Sequence, residues 1–188
     1  MARLSRLSLL CLVAMVAVIA VGCGNTEEVR KVTATEGPYI DVGDLTYQIQ
    51  LSRILEPSER EDQAYLKGLP QGLTPGADEV WFAVFMRVEN QTDGPLRPAA
   101  DFEIVDTQGN KYSPVRIDRN VNVFAYDTNV LGPKQIAPLP DSPAFNGPIQ
   151  GTLILFKLKV STLYNRPLEF HVITTEGGGD RGTIDLDV

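Results

Sequence analysis

From Pro38 onward the apolar positions of this chain recur every second residue, the spacing of a strand rather than a helix. Leu45, Tyr47, Ile49 and Leu51 alternate with Thr46, Gln48 and Gln50, which predicts a half-buried strand with those four on its inner face. Val80, Phe82, Val84, Met86 and Val88 make one continuous apolar face. The opposite face begins with Trp81, Ala83 and Phe85 and turns polar at Arg87 and Glu89. That pattern predicts a central strand covered on both sides for half its length. Phe102–Val105 and Lys111–Tyr112 flank Asp106–Asn110, a Gly-containing connection, and read as a hairpin. Thr152–Lys159, Leu168–Thr174 and Thr183–Val188 complete the set, with Gly177-Gly178-Gly179-Asp180 turning the chain into the last strand. No stretch holds a 3.6-residue period for three turns. Short strands with turn signals between them predict an all-β fold, an antiparallel β-sandwich. The connection from Glu56 to Asp78 is long enough to be functional or locally packed.

Upstream the pattern changes. A short basic stretch with Arg3 and Arg6 precedes Leu7 to Val21, 15 residues that are apolar except for Ser8. A spanning helix needs about 20 such residues, whereas a signal-peptide core takes about 7 to 15. The run ends Ile19-Ala20-Val21-Gly22-Cys23, which resembles a bacterial lipobox with Ala20 in place of the usual Leu. The resemblance implies cleavage before Cys23 and lipidation of its thiol, hence a palmitate-type anchor on the extracytoplasmic face of the cell membrane. Ordinary signal cleavage with Cys23 incidental is the competing reading. The expected organisation is a signal peptide over 1–22, the lipidated Cys23 and a polar, flexible tether over 23–37, and the sandwich over 38–188. Such a tether could reach roughly 40 Å at about 3.3 Å per residue.

Charge narrows the partners. The 188 residues carry 17 Lys and Arg against 24 Asp and Glu, a formal −7. Loss of the leader removes Arg3 and Arg6 and leaves 15 basic against 24 acidic residues, a formal −9. Nucleic acid is therefore excluded as an expected partner, since phosphate binding needs a basic face. Of the two Cys, Cys11 lies in the leader, so no internal disulfide is expected.

A resemblance rests on Val84-Phe85-Met86-Arg87-Val88-Glu89-Asn90, then Pro95, then Phe102-x-Ile104-x-Asp106-x-x-Gly109-x-x-Tyr112, and on Gly151–Phe156. These residues are similar to the immunoglobulin-like domain of unknown function carried by many Gram-positive, notably actinobacterial, lipoproteins, a domain related to the telokin-like mycobacterial immunoprotective antigen. It covers about residues 38 to 188. The resemblance implies an immunoglobulin-like sandwich and a surface location, and it brings no catalytic residues.

Candidate chemistry is sparse. His171, the single histidine, should point outward because Leu168, Phe170 and Val172 point in; zinc wants three or four converging ligands, so a lone His is not a metal site. With no Gly-x-Ser-x-Gly elbow and one His, a hydrolase is the least favoured reading. Asp101 and Glu103 share a strand face and read as surface acids rather than a glycosidase pair. Asp127-Thr128-Asn129 and Asp41-Val42-Gly43-Asp44 cluster oxygens without EF-hand spacing, so calcium stays as an alternative to plain Asx turns. Copper is weaker, because Met86 falls on the buried face. Tyr65, Trp81 and Phe85 form either an aromatic binding patch or a second small core under the long loop, and the packed reading is preferred. The expected function is a non-catalytic, lipid-anchored binding or accessory module without cofactor or metal. Its unidentified protein partner would be recognised by the Glu56–Asp78 loop or a free sheet edge; the alternative is a calcium-binding extracytoplasmic protein.

Overall fold

The computed structural model describes residues 31–174 and 179–187. Ten strands follow one another: β1 Lys31–Thr35, β2 Tyr39–Val42, β3 Leu45–Leu55, β4 Glu79–Glu89, β5 Asp101–Val105, β6 Lys111–Tyr112, β7 Ile136–Ala137, β8 Thr152–Lys159, β9 Leu168–Ile173 and β10 Arg181–Leu186. Single helical turns lie at α1 Asp62–Tyr65 and α2 Pro143–Asn146, and a 3-10 turn spans Val160–Tyr164. One sheet runs β1-β10-β9-β5-β6. The other runs β2-β3-β4-β7, with β8 pairing β4 beside β7. Every pair is antiparallel except β1 with β10. The fold is the expected β-sandwich.

The inner faces meet in one core of large side chains, among them Tyr47, Phe82, Phe156 and Phe170, each fully buried. Tyr126 and Phe102 cross edge to face at 5.1 Å, and Phe102 stacks on Phe170 at 5.5 Å. A second core lies on the outer face of the β3-β4-β8 sheet, where Tyr65, Trp81, Phe85 and Leu155 pack under the long loop. Tyr65 meets both Phe85 and Phe124 edge to face at 4.9 Å. The three aromatics singled out in the sequence are thus a packed cluster, and β4 is covered on both sides as its pattern required.

Two expectations give way. The segment read as tether to Gly37 is a strand from Lys31, paired in parallel with β10. Four of its five residues are exposed, and Val32 and Ala34 are the whole of its apolar alternation, too brief to read as a strand. Glu36, also assigned to the tether, fastens it: its carboxylate accepts from Ser52 N at 2.7 Å, Ser52 Oγ at 2.6 Å and Asp187 N at 3.0 Å. In β3, the pairing passes from Ile49↔Met86 directly to Leu51↔Phe85. Gln50 is the extra residue of a bulge, which reverses the facing of everything after it. Leu51 therefore packs against the second core, not the inner face with Leu45, Tyr47 and Ile49.

Candidate binding cleft

The flank of the sandwich between β5 and β8 is bridged by residues 113–131. This segment behaves as a substitute strand along β8: Val115 N donates to Leu155 O at 2.7 Å, Leu153 N to Phe124 O at 2.6 Å and Tyr126 N to Leu153 O at 2.9 Å. Tyr126 ties it to the segment that leads into β5, its hydroxyl donating to Ala99 O at 2.8 Å, while burial pushes its phenol well above the ordinary value. Asn122, 2% exposed, ties it to the long loop. Its Nδ2 donates to Tyr65 O at 2.8 Å and Lys67 O at 2.9 Å, and its Oδ1 accepts from Phe124 N at 3.0 Å. Asp118 N adds a bond to Gly68 O at 2.8 Å. Gly68 has φ +76°, and a Cβ there would lie 2.8 Å from Asp118 O, so this close crossing needs glycine.

These ties leave a cleft of about 370 Å3 at the mouth between the sheets. Phe102, Val115, Ile117, Tyr126 and Ile154 give it apolar walls; Arg116 and Arg119 line its rim, and no carboxylate lines it among the described residues. Arg97 stands close by, donating to Thr128 O at 2.9 Å. Arg119 is ion-paired with Asp127, and Arg116 has no ion-pair or hydrogen-bond partner among the described residues. Beyond Ala125 and Arg119 lies a second recess of about 360 Å3, lined partly by Val123, Val130 and Leu139. Those three side chains are 59%, 49% and 50% exposed, so the whole flank presents aliphatic surface to solvent.

Of the residues considered from the sequence, Asp127-Thr128-Asn129 falls on this flank, with Thr128 lining the cleft and Asp127 and Asn129 the second recess, and the others fall elsewhere. Cys23, the 1–22 segment and Gly177-Gly178 lie outside the described residues. His171 does face outward from β9, yet it is buried at 6%, between the paired positions Glu103 and Thr183, with Nε2 at 2.9 Å from Glu169. Its expected exposure is corrected by the crowding of neighbouring strands. Glu103 is bonded to Lys111 at 2.8 Å and lies 3.6 Å from Arg181; the Lys111 contact first, against a smaller burial penalty, holds its carboxyl below the ordinary value. Asp41 accepts from Thr46 Oγ1 at 2.7 Å, and Asp127 is engaged by Arg119 and Asn129. Among the described residues no group of three His, Cys, Asp or Glu is arranged to hold a metal ion. Met86 is fully buried.

Several buried polar residues carry no signal in the sequence beyond their place in a motif or loop. Asp106 accepts from the N–H groups of Gln108 and Asn110, each at 2.9 Å, and from Asn165 Nδ2 at 3.1 Å. Asn90 donates to the carbonyls of Gly94, Leu131 and Gly132 at 2.7–3.1 Å, closing the loops at the other end of β4. Asp62 accepts from Glu56 N at 2.7 Å and pairs with Arg53 at the head of the long loop. Burial pulls the Asp62 and Asp106 carboxyls upward, but these hydrogen bonds outweigh it and leave both below the ordinary value. A carboxyl depressed in the folded state stabilises it above its unfolded pKa, and that stability is lost as pH falls through the folded value. The thermal midpoint should therefore drop from about pH 4 downward. The drop between pH 5 and pH 3 should be smaller in an Asp62→Asn, Asp106→Asn double variant, and equal drops would assign acid sensitivity elsewhere.

No protein-family model and no curated protein matches this sequence. Among solved structures the chain is similar to the yjhA protein from Bacillus subtilis, at 10% identity and a TM-score of 0.55 over 82% of this chain and 99% of that one. That overlap supports the sandwich fold and nothing finer. Weaker overlaps reach an uncharacterized β-sandwich protein from Clostridium difficile (15% identity, TM-score 0.48, 87% of this chain and 99% of that one). Another is the ycdA protein from Bacillus subtilis, described as a candidate lipoprotein (11% identity, TM-score 0.47, 80% of this chain but 39% of that one).

Proposed function

We propose that the chain is a non-catalytic binding module, held by a lipidated Cys23 on the extracytoplasmic face of the cell membrane, and that the β5–β8 flank is its recognition surface. The observation that carries the binding role is the cleft itself. It is a recess lined by apolar side chains and two guanidinium groups in an acidic protein, and its walls are fixed by hydrogen bonds to β8 and to Ala99 at the entry to β5. Concave apolar sites with a few placed polar groups are the usual form of a ligand pocket. The finer assignment, to the immunoglobulin-like domain of Gram-positive lipoproteins, is supported by the lipobox-like end of the leader and by the strand motifs. Two of those motif residues, Asn90 and Asp106, serve as buried hubs of loop structure.

With β1 in place from Lys31, at most the seven residues Gly24–Arg30 separate Cys23 from the described sandwich, about 25 Å at full extension. The domain would stand closer to the bilayer than a tether to Gly37 allows. Cys23→Ala should move the protein from the membrane to the soluble fraction and abolish incorporation of labelled palmitate, with no change in thermal midpoint. A Cys23→Ala protein that still partitions with membranes would overturn the anchoring.

A further inference from the structure

We infer that the flank cleft takes an amphiphilic anion: a ligand with an apolar body and a single carboxylate or comparable acidic head. The inference rests on the binding role proposed above and names the ligand class. Two features select it. The walls are hydrocarbon and aromatic, from Phe102, Val115, Ile117, Tyr126 and Ile154, and the one phenol among them is already bonded to Ala99 O. Thr128, Arg116 and Arg119 complete the lining, so the cleft sets hydrocarbon surface beside cationic surface.

The rim has the opposite sign to the chain. In a protein of formal charge −7, the cleft is lined by two guanidinium groups and by no acid among the described residues. Asp127 is bound by Arg119 and Asn129, and Asp118, which does not line the cleft, accepts from Asn120 N at 2.9 Å. Among the described residues Arg116, which is exposed, has no hydrogen-bond or ion-pair partner, and Arg97 makes one bond, to Thr128 O. A planar guanidinium at the mouth of an apolar recess pairs a carboxylate through two parallel bonds while the body stays in the recess. An ammonium head would meet like charge there.

The experiment is calorimetric titration of the full-length chain carrying Cys23→Ala with dodecanoate, dodecanol and dodecylammonium, each below its micelle concentration. Dodecanoate should bind with one site per chain. Dodecanol should bind at least about tenfold more weakly, and dodecylammonium more weakly still. Arg116→Gln should weaken dodecanoate about tenfold and leave dodecanol unchanged. Ala100→Trp, at an exposed position lining the cleft, should abolish both, with the thermal midpoint confirming that each variant is folded. Equal binding of the three heads, or dodecanoate affinity untouched by Arg116→Gln, would overturn the anion class and leave the cleft as an apolar site. Binding that survives Ala100→Trp, or no binding by any of the three, would overturn the inference entirely.

Discussion

Asn122→Ala should cost about 3 kcal/mol, because three backbone groups lose their partner at a site that water does not reach. In a domain of this size that is a fall of roughly 6–12 °C in thermal midpoint. The three groups are Tyr65 O, Lys67 O and Phe124 N, and Asn122 itself is 2% exposed. The loss has a local signature as well. Trp81 is the single tryptophan and lies 3% exposed in the second core, beneath the loop that Asn122 secures. Loosening that loop should wet the indole and shift its emission to the red before the sandwich unfolds. Thermal denaturation followed by Trp81 fluorescence and by circular dichroism would separate the two events. A midpoint within a degree of wild type, with unshifted emission, would mean that the two loops hold together without Asn122.

Gly182→Val should be comparably damaging for the opposite reason. Gly182 lies in β10 between Val172 and Val32, facing the inner core. A Cβ there would sit 2.4 Å from Val42 Cγ2 and 2.8 Å from Ile40 Cδ1. Both neighbours are buried, at 2% and 4%, so neither can swing into solvent. Glycine at this position lets β2 close over β10 and brings the edges of the two sheets together. Adding three carbons forces them apart, at about 3 kcal/mol. Chemical denaturation would measure it; a loss below about 0.5 kcal/mol would show that β2 moves freely and that the sandwich edge is less closely packed than the contacts imply.

What the sequence discloses depends on how far each signal reaches along the chain. β4 is legible on both faces because its neighbours on either side supply full cover, so apolar residues occur at every position from Val80 to Met86. The hairpin of β5 and β6 is legible because Asp106 and Gly109 act within a few residues of each other, Gly109 at φ +80°. Leu51 misleads because nothing in Gln48-Ile49-Gln50 marks the bulge; only the fixed register with β4 reveals it. β1 is hidden because its inner face is only Val32 and Ala34, too short and small a pair to announce a strand. The cleft is the least legible of all. Phe102, Val115, Tyr126 and Ile154 come from separate segments, and Asn122 acts on carbonyls more than 50 residues away, so polar character there reads simply as loop.

Backbone amide shifts of the full-length Cys23→Ala chain, recorded by nuclear magnetic resonance as dodecanoate is added, address the flank directly. The largest changes should fall on Phe102, on Val115 to Ile117 and on Tyr126, with the outward face of β9 and β10 unmoved. Changes centred on that face, around His171 and Thr183, or scattered evenly over both sheets, would contradict the placement of the binding surface.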